Sequence, residues 1–229
     1  MDDYQGKTVV VTGGRGALGR ALVDCLLGRG AACFVPDLHP VLDENPVPGL
    51  SIRGPVDLTD ERSVIEFFDR IPDVWASFHV AGGFAMGPIA ETSADTFRGL
   101  FELNALTAFL SCREAVRRMR ATGIGGRIVN VIAKPVLAPA ADLSAYTASK
   151  AAVAALTETL AEELAHENIF VNAVAPSIMD TAANRAAMPN ANHDDWPKVQ
   201  DVAQVMADLG SPQNRVARGT LMPVYGALG

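Results

Sequence analysis

Cysteine is scarce in this 229-residue chain: Cys25, Cys33 and Cys112 are the three present. An odd number without close spacing excludes a disulfide framework and a zinc knuckle, and apolar neighbours mark all three as buried, reduced thiols. Basic charge is in deficit, with 19 Lys and Arg against 26 Asp and Glu, a formal net charge of −7. An acidic surface repels phosphate backbones and anionic lipid, so neither nucleic acid nor membrane is an expected partner. No apolar run is long enough to cross a bilayer. No charged-then-apolar leader opens the chain either, since Met1-Asp2-Asp3-Tyr4 runs straight into a strand-like segment. The expected location is the cytoplasm. His39, His79, His166 and His193 are scattered without ligand spacing, and no metal is expected. Repeats, low-complexity tracts and linkers are missing too, which points to one domain over residues 1–229.

What is present is a globular composition, 49% hydrophobic and 20% charged. Short apolar runs at Thr8–Val11, Ala32–Val35, Trp75–Val80, Arg127–Val131, Ile169–Ala175 and Leu221–Val224 have the character of strands. Most are apolar throughout rather than alternating, as parallel strands covered on both faces must be. Between them lie helical patterns near Leu18–Leu27, Arg62–Asp69, Ala94–Met119, Tyr146–His166 and Val199–Leu209. Strand followed by helix, repeated, predicts an α/β doubly wound parallel sheet with helices on both faces. The Pro-rich stretch Leu38–Leu50 has no period and reads as a loop.

Directly after the first strand comes Thr12-Gly13-Gly14-Arg15-Gly16-Ala17-Leu18-Gly19, leading into an apolar helix. Taken alone, such a string is also compatible with an ordinary glycine-rich turn. Its strand-before, helix-after context is what a dinucleotide pyrophosphate requires: bare backbone N–H groups at the positive end of a helix. Asp37, at the end of the second strand, is placed to bond a ribose diol and to repel a 2′-phosphate, unless it is a solvated loop residue. NAD(H) is therefore favoured, while Arg15 offers a partner for the extra phosphate of NADP. Tyr146 and Lys150, one helical turn apart, share a face. An ammonium near a phenol favours the phenolate and draws its pKa towards the working range.

These motifs together resemble the short-chain dehydrogenase/reductase family over nearly the whole chain. The resemblance implies a Rossmann fold, an NAD(P) cofactor and a small-molecule substrate. Gly13, Arg15, Gly16, Ala17, Leu18 and Gly19 are similar to its phosphate cradle, and Asp57-Leu58 to its adenine-contacting pair. Val80-Ala81-Gly82-Gly83 stands where the family has Asn-Ala-Gly, so Ala81 and Gly82 are implied in cofactor binding. Asn104 matches the asparagine that holds a proton-relay water. Tyr146-Thr147-Ala148-Ser149-Lys150 matches Tyr-x-x-x-Lys, implying a catalytic Tyr146 whose pKa is lowered by Lys150, with both residues also at the cofactor. Pro176, Ile178 and Thr181 lie in a segment similar to the one that closes over the nicotinamide. The family's paired long helices imply a homodimer or homotetramer, here through Cys112–Met119 and Ala151–Leu164.

One departure matters. The family's serine, thirteen residues before the tyrosine, is Ala133 here, and deleting such a donor lowers rates by about 10²–10³. Ordinary ketone reduction is thereby put in question. The cradle, Val80-Ala81-Gly82-Gly83, Ala133-Lys134 and Trp196-Pro197 resemble dihydropteridine reductases, which work without that serine. A carbonyl reductase or alcohol dehydrogenase with a substitute donor, and a cofactor-binding sensor without turnover, are the alternatives. Phe84, Met86, Arg185, Met188 and Trp196 fall in segments expected to border the nicotinamide, and each is equally explicable as packing.

Overall fold

Val9, Val10 and Val11 are all fully buried, yet they face opposite ways. Val9 and Val11 join the helix layer that contains Leu18, Leu22, Val202 and Met206. Val10 joins the layer that contains Val64, Phe68, Leu110 and Met119. A strand covered on both faces gains nothing from a polar residue at any position, which is why its run is apolar without alternation.

The computed structural model describes residues 3–41 and 47–227. Seven strands, β1 (Thr8–Thr12), β2 (Ala32–Pro36), β3 (Leu50–Arg53), β4 (Val74–His79), β5 (Gly126–Val131), β6 (Ile169–Pro176) and β7 (Leu221–Val224), pair in the order β3-β2-β1-β4-β5-β6-β7. Every pairing is parallel. Helices α1 (Ala17–Gly28) and α8 (Val199–Gly210) cover one face. The other face is covered by α2 (Glu61–Asp69), α4 (Thr107–Thr122) and α6 (Ser144–Glu163). The short helices α3 (Ala94–Leu100), α5 (Lys134–Leu137) and α7 (Ala182–Ala187) lie at the carboxyl ends of the strands or lead into α4. Because the order reverses between β1 and β4, the loops after these two strands diverge and leave a crevice, the usual place for a ligand in such a sheet.

Three sequence expectations need correction. Leu50 is not loop but the first residue of β3, a four-residue edge strand paired only with β2. The remaining loop expectation at 42–46, and the opening Met1-Asp2, lie outside the described residues. The continuous helix expected over Ala94–Met119 is interrupted by a π-helical stretch at Phe101–Leu106. Third, Cys25, expected to be buried, is partly exposed on α1; α5 and α7 also add helical turns that no sequence pattern announces. Each is about one to two turns long, too short for a helical period to show. Among the described residues no helix is long and apolar enough to cross a membrane.

A buried polar chain ties the sheet to α6. Ser77 bonds His79 Nε2 at 2.8 Å, and His79 Nδ1 bonds Asn130 Oδ1 at 2.8 Å. Asn130 Nδ2 donates to Thr157 Oγ1 at 2.9 Å. Cys112 Sγ sits 3.3 Å from His79 Nδ1. Satisfying these groups mutually removes most of the penalty for burying them.

Candidate active site

The cradle is shaped by close approach. Gly13 takes φ +65°, and a Cβ there would stand 2.7 Å from the backbone nitrogen of Ala81. A Cβ on Gly19 would stand 2.1 Å from the carbonyl oxygen of Gly13, so the loop and the first turn of α1 fit only as glycine. The end of β1 is tied to that of β4 by Ala81 N–H, which donates to Thr12 Oγ1 at 3.2 Å. Gly16 is the N-cap of α1, no side chain caps the helix, and its first turn carries no acidic residue. Its first N–H groups, from Ala17 through Gly19, therefore face no competing side-chain acceptor. That donor set fits a pyrophosphate.

Asp37 continues β2, with its N–H donating to Arg53 O at 2.8 Å and its carbonyl accepting from Val56 N–H at 2.7 Å. Its carboxylate accepts from His39 N–H at 2.8 Å and pairs with Arg15 at 3.2 Å. The two residues that the sequence sets against each other over a 2′-phosphate thus hold one another. Asp57 is exposed after β3; hydrogen bonds from Thr59 hold its carboxyl below the usual range. Leu58 is half-buried against the sheet.

Around the carboxyl ends of β4 and β5 the remaining predicted residues converge. The wider turn of the π segment lets Asn104 sit buried while its amide reaches the β4 loop. Asn104 Nδ2 donates to Gly83 O at 3.1 Å and to Ser149 Oγ at 3.0 Å, while Oδ1 accepts from Gly83 N–H at 3.0 Å. Ser149 Oγ in turn donates to the Tyr146 carbonyl at 2.8 Å. Lys150 Nζ donates to the Val131 carbonyl at the end of β5, at 2.8 Å. A Cβ on Gly82 would lie 2.5 Å from Asn104 Oδ1 and 3.3 Å from Lys150 Nζ, so this glycine is what lets the amide and the ammonium approach one strand end.

Burial governs the ionisation here. It pushes the Tyr146 phenol up to about 12 and the Lys150 ammonium down to about 8. The sequence asks Lys150 to lower the phenol's pKa. In the cofactor-free site desolvation acts on Tyr146 in the opposite direction, while Nζ is engaged with the end of β5. Near neutral pH the phenol carries its proton. Ala133 is buried between β5 and α5 and brings no side-chain donor.

Other predicted positions lie at and beyond the end of β6. Pro176 is buried at the end of β6, and Ile178 is exposed just beyond. Thr181 uses its hydroxyl to cap α7, accepting from Asn184 N–H at 3.1 Å. Arg185 is paired with Asp180 through two contacts of 2.5 and 2.9 Å. Trp196 is buried and packs against His193 with ring centroids 4.6 Å apart. Phe84, by contrast, is exposed and touches Tyr146. Sequence reasoning missed Ser149 and the Val131 carbonyl. The first was visible inside the Tyr-x-x-x-Lys stretch; the second is a backbone group and leaves no trace in residue identity.

The chain matches the family model for short chain dehydrogenases over residues 7–192. It is 29% identical to a short-chain type dehydrogenase/reductase of Picea abies, covering 96% of this chain and 92% of that one. It is 33% identical to a cyclopentanol dehydrogenase of a Comamonas species, covering 79% and 76%. Among solved structures, a dehydrogenase/reductase from Sinorhizobium meliloti superposes with a TM-score of 0.84 at 25% identity, covering 100% of this chain and 98% of that one.

Proposed function

This chain belongs to the short chain dehydrogenase family and is an NAD(P)-dependent oxidoreductase; from that premise we propose that it is a dihydropteridine-type reductase, with Tyr146 as its proton donor. The observation that carries the proposal is Ala133. Buried where a polarising hydroxyl is otherwise expected, it leaves the reacting atom without that donor. A quinonoid dihydropterin is already electrophilic and becomes more aromatic on reduction, so it needs less polarisation than a ketone.

When bound, the dihydronicotinamide supplies the hydride. Tyr146, protonated at neutral pH as an ordinary phenol is and held so more firmly by its partial burial, is loaded to donate the matching proton. Lys150 steadies the phenolate left behind and holds the nicotinamide ribose. Asn104, gripping Gly83 and Ser149, positions the β4 loop and the backbone of Tyr146. Gly13, Gly16, Ala17, Leu18 and Gly19 bind the pyrophosphate, and Asp57, Leu58, Ala81 and Gly82 flank the adenosine and the nicotinamide ribose. Pro176, Ile178 and Thr181 border the nicotinamide. Asp37 favours NADH, and Arg15 admits NADPH when it leaves Asp37 for a 2′-phosphate.

The whole chain acts as one nucleotide-binding domain whose later loops complete the substrate site. Phe97, Leu103, Leu106 and Phe109 are exposed along α3, the π segment and α4. That apolar run supports a homodimer or homotetramer built on the long helices. Three free thiols fit the cytoplasm.

A second reading, alcohol oxidation and ketone reduction, is favoured by relatives described as cyclopentanol and sorbitol dehydrogenases. NADH oxidation with quinonoid dihydropterin, beside a panel of small ketones, separates the two for the native protein and Tyr146→Phe. Rapid pterin reduction that disappears in the variant, with ketones untouched, is the expected result. Robust ketone reduction by the native protein would overturn the pterin assignment.

A further inference from the structure

We infer that Phe84 is a positioning residue for Tyr146 and one wall of the substrate site, selecting a flat, unsaturated ring. The inference rests on the reading of Tyr146 as proton donor. The two rings meet with centroids 4.9 Å apart and planes at 73°, the edge-on geometry that aromatic quadrupoles prefer. Such a contact restrains the plane of the phenol, which its backbone alone does not do.

Phe84 is nevertheless 64% exposed, and Met86 beside it is 66% exposed. Neither side chain serves the core, and leaving large apolar groups in water is unfavourable in proportion to their area. Their place is explained by a ligand that covers them. The strap that carries them is pinned at both ends. Gly83 is held at its N–H and its carbonyl by Asn104, at 3.0 and 3.1 Å. Gly87 N–H donates to the carbonyl of Asp142 at 2.8 Å, and Asp142 takes a left-handed φ of 60° just ahead of α6. A Cβ on Gly83 would lie 2.8 Å from Leu103 Cδ1, so the strap also lies close against the π segment.

Phe84 is thereby fixed relative to the residues proposed for the chemistry rather than swinging on a loose loop. Its ring touches Tyr146 and keeps much of its surface open beside the phenol. A planar ring stacking on that surface brings its reacting atom towards the hydroxyl. A short aliphatic carbonyl compound, offering no π face, gains little there.

Phe84→Leu keeps bulk and removes the ring; Phe84→Tyr keeps the ring. The readouts are kcat and KM with quinonoid dihydropterin, any turnover of a short aliphatic ketone, the unfolding midpoint, and phenol titration by absorbance near 295 nm in the NADH-free protein. Tyr146→Phe identifies the Tyr146 transition among the three tyrosines. In Phe84→Leu, kcat/KM for the ring substrate falls about tenfold, the size of one aromatic pair interaction. The Tyr146 titration moves downward as water reaches the phenol, the ketone stays unreduced as with the native protein, and Phe84→Tyr restores the ring-substrate kinetics. Unchanged ring-substrate kinetics and titration in Phe84→Leu would overturn the inference. So would a loss on the ring substrate accompanied by a lower unfolding midpoint and an unmoved Tyr146 titration. Full turnover in Tyr146→Phe would instead overturn the proton-donor reading, a result independent of whether the phenol titration responds to Phe84.

Discussion

Asn104 holds Gly83 at both of its backbone groups, accepting from the N–H at 3.0 Å and donating to the carbonyl at 3.1 Å. A side-chain amide thus stands in for a strand partner just beyond β4, at the point where the sheet ends and the site begins. The π segment makes this possible, because an unbroken α-helix would turn the amide elsewhere.

Asn104→Ala therefore unpairs Gly83 and removes one partner from Ser149. The expected result is a loss of about 1–3 kcal/mol in urea unfolding, together with a fall in kcat larger than any rise in KM. A change in KM alone would place Asn104 in substrate binding rather than in the geometry of the groups proposed for the chemistry.

Lys150 is buried and its ammonium is pushed down to about 8, below its ordinary value of 10.5. Between these values the unfolded chain holds a proton that the folded chain lacks, so stability rises with pH across this window. Lys150→Met flattens that rise in unfolding measurements between pH 8 and 10. In the native enzyme, reduction is expected to slow as pH climbs through about 8 and the Lys150 charge is lost. Stopped-flow rates as a function of pH check the second point.

His79 is buried beside Ser77 and Asn130 and is pushed down to about 4 from 6.5. Here too the unfolded state binds the extra proton first. Stability is full above about pH 6.5 and falls towards pH 4, by a total on the order of 3 kcal/mol. Replacing the ring by His79→Gln removes this acid-side slope. Denaturant midpoints at three pH values between 4.5 and 7 would show whether it does.

Asp37 and Arg15 pair at 3.2 Å where the cofactor's adenosine end is proposed to lie. Asp37→Ser frees the guanidinium and removes the carboxylate that repels a 2′-phosphate. The ratio of kcat/KM for NADH over NADPH is expected to drop by on the order of 100-fold, in line with the several kcal/mol of like-charge juxtaposition. Arg15→Ala moves the ratio the other way. An unchanged ratio in both variants would move cofactor selection to other residues.

The parallel sheet and its glycine cradle are legible in the order of residues because their causes are local. A strand covered on both faces needs apolar residues at every position, as Val9, Val10 and Val11 show. A loop that must pass within van der Waals distance of Ala81 needs glycine, as Gly13 does. The spacing of Tyr146 and Lys150 on one helical face is likewise a property of the helix itself. β3 is not legible in this way: Leu50–Arg53 is short, lies at the edge and is nowhere fully buried, so its strand character comes from pairing with β2.

The alternation of strands and helices, the glycine-rich turn after β1 and the absence of a side-chain donor at Ala133 are each a matter of residue type at a given spacing, and can be read without the fold. Only the tertiary structure decided that the long helix opens into a π turn at Asn104, that Arg15 turns to Asp37, and that Phe84 lies on Tyr146. It also decided the direction in which burial moves the phenol and the ammonium. These outcomes depend on groups distant in the chain being brought within a few ångströms of each other, and on the water that packing excludes between them.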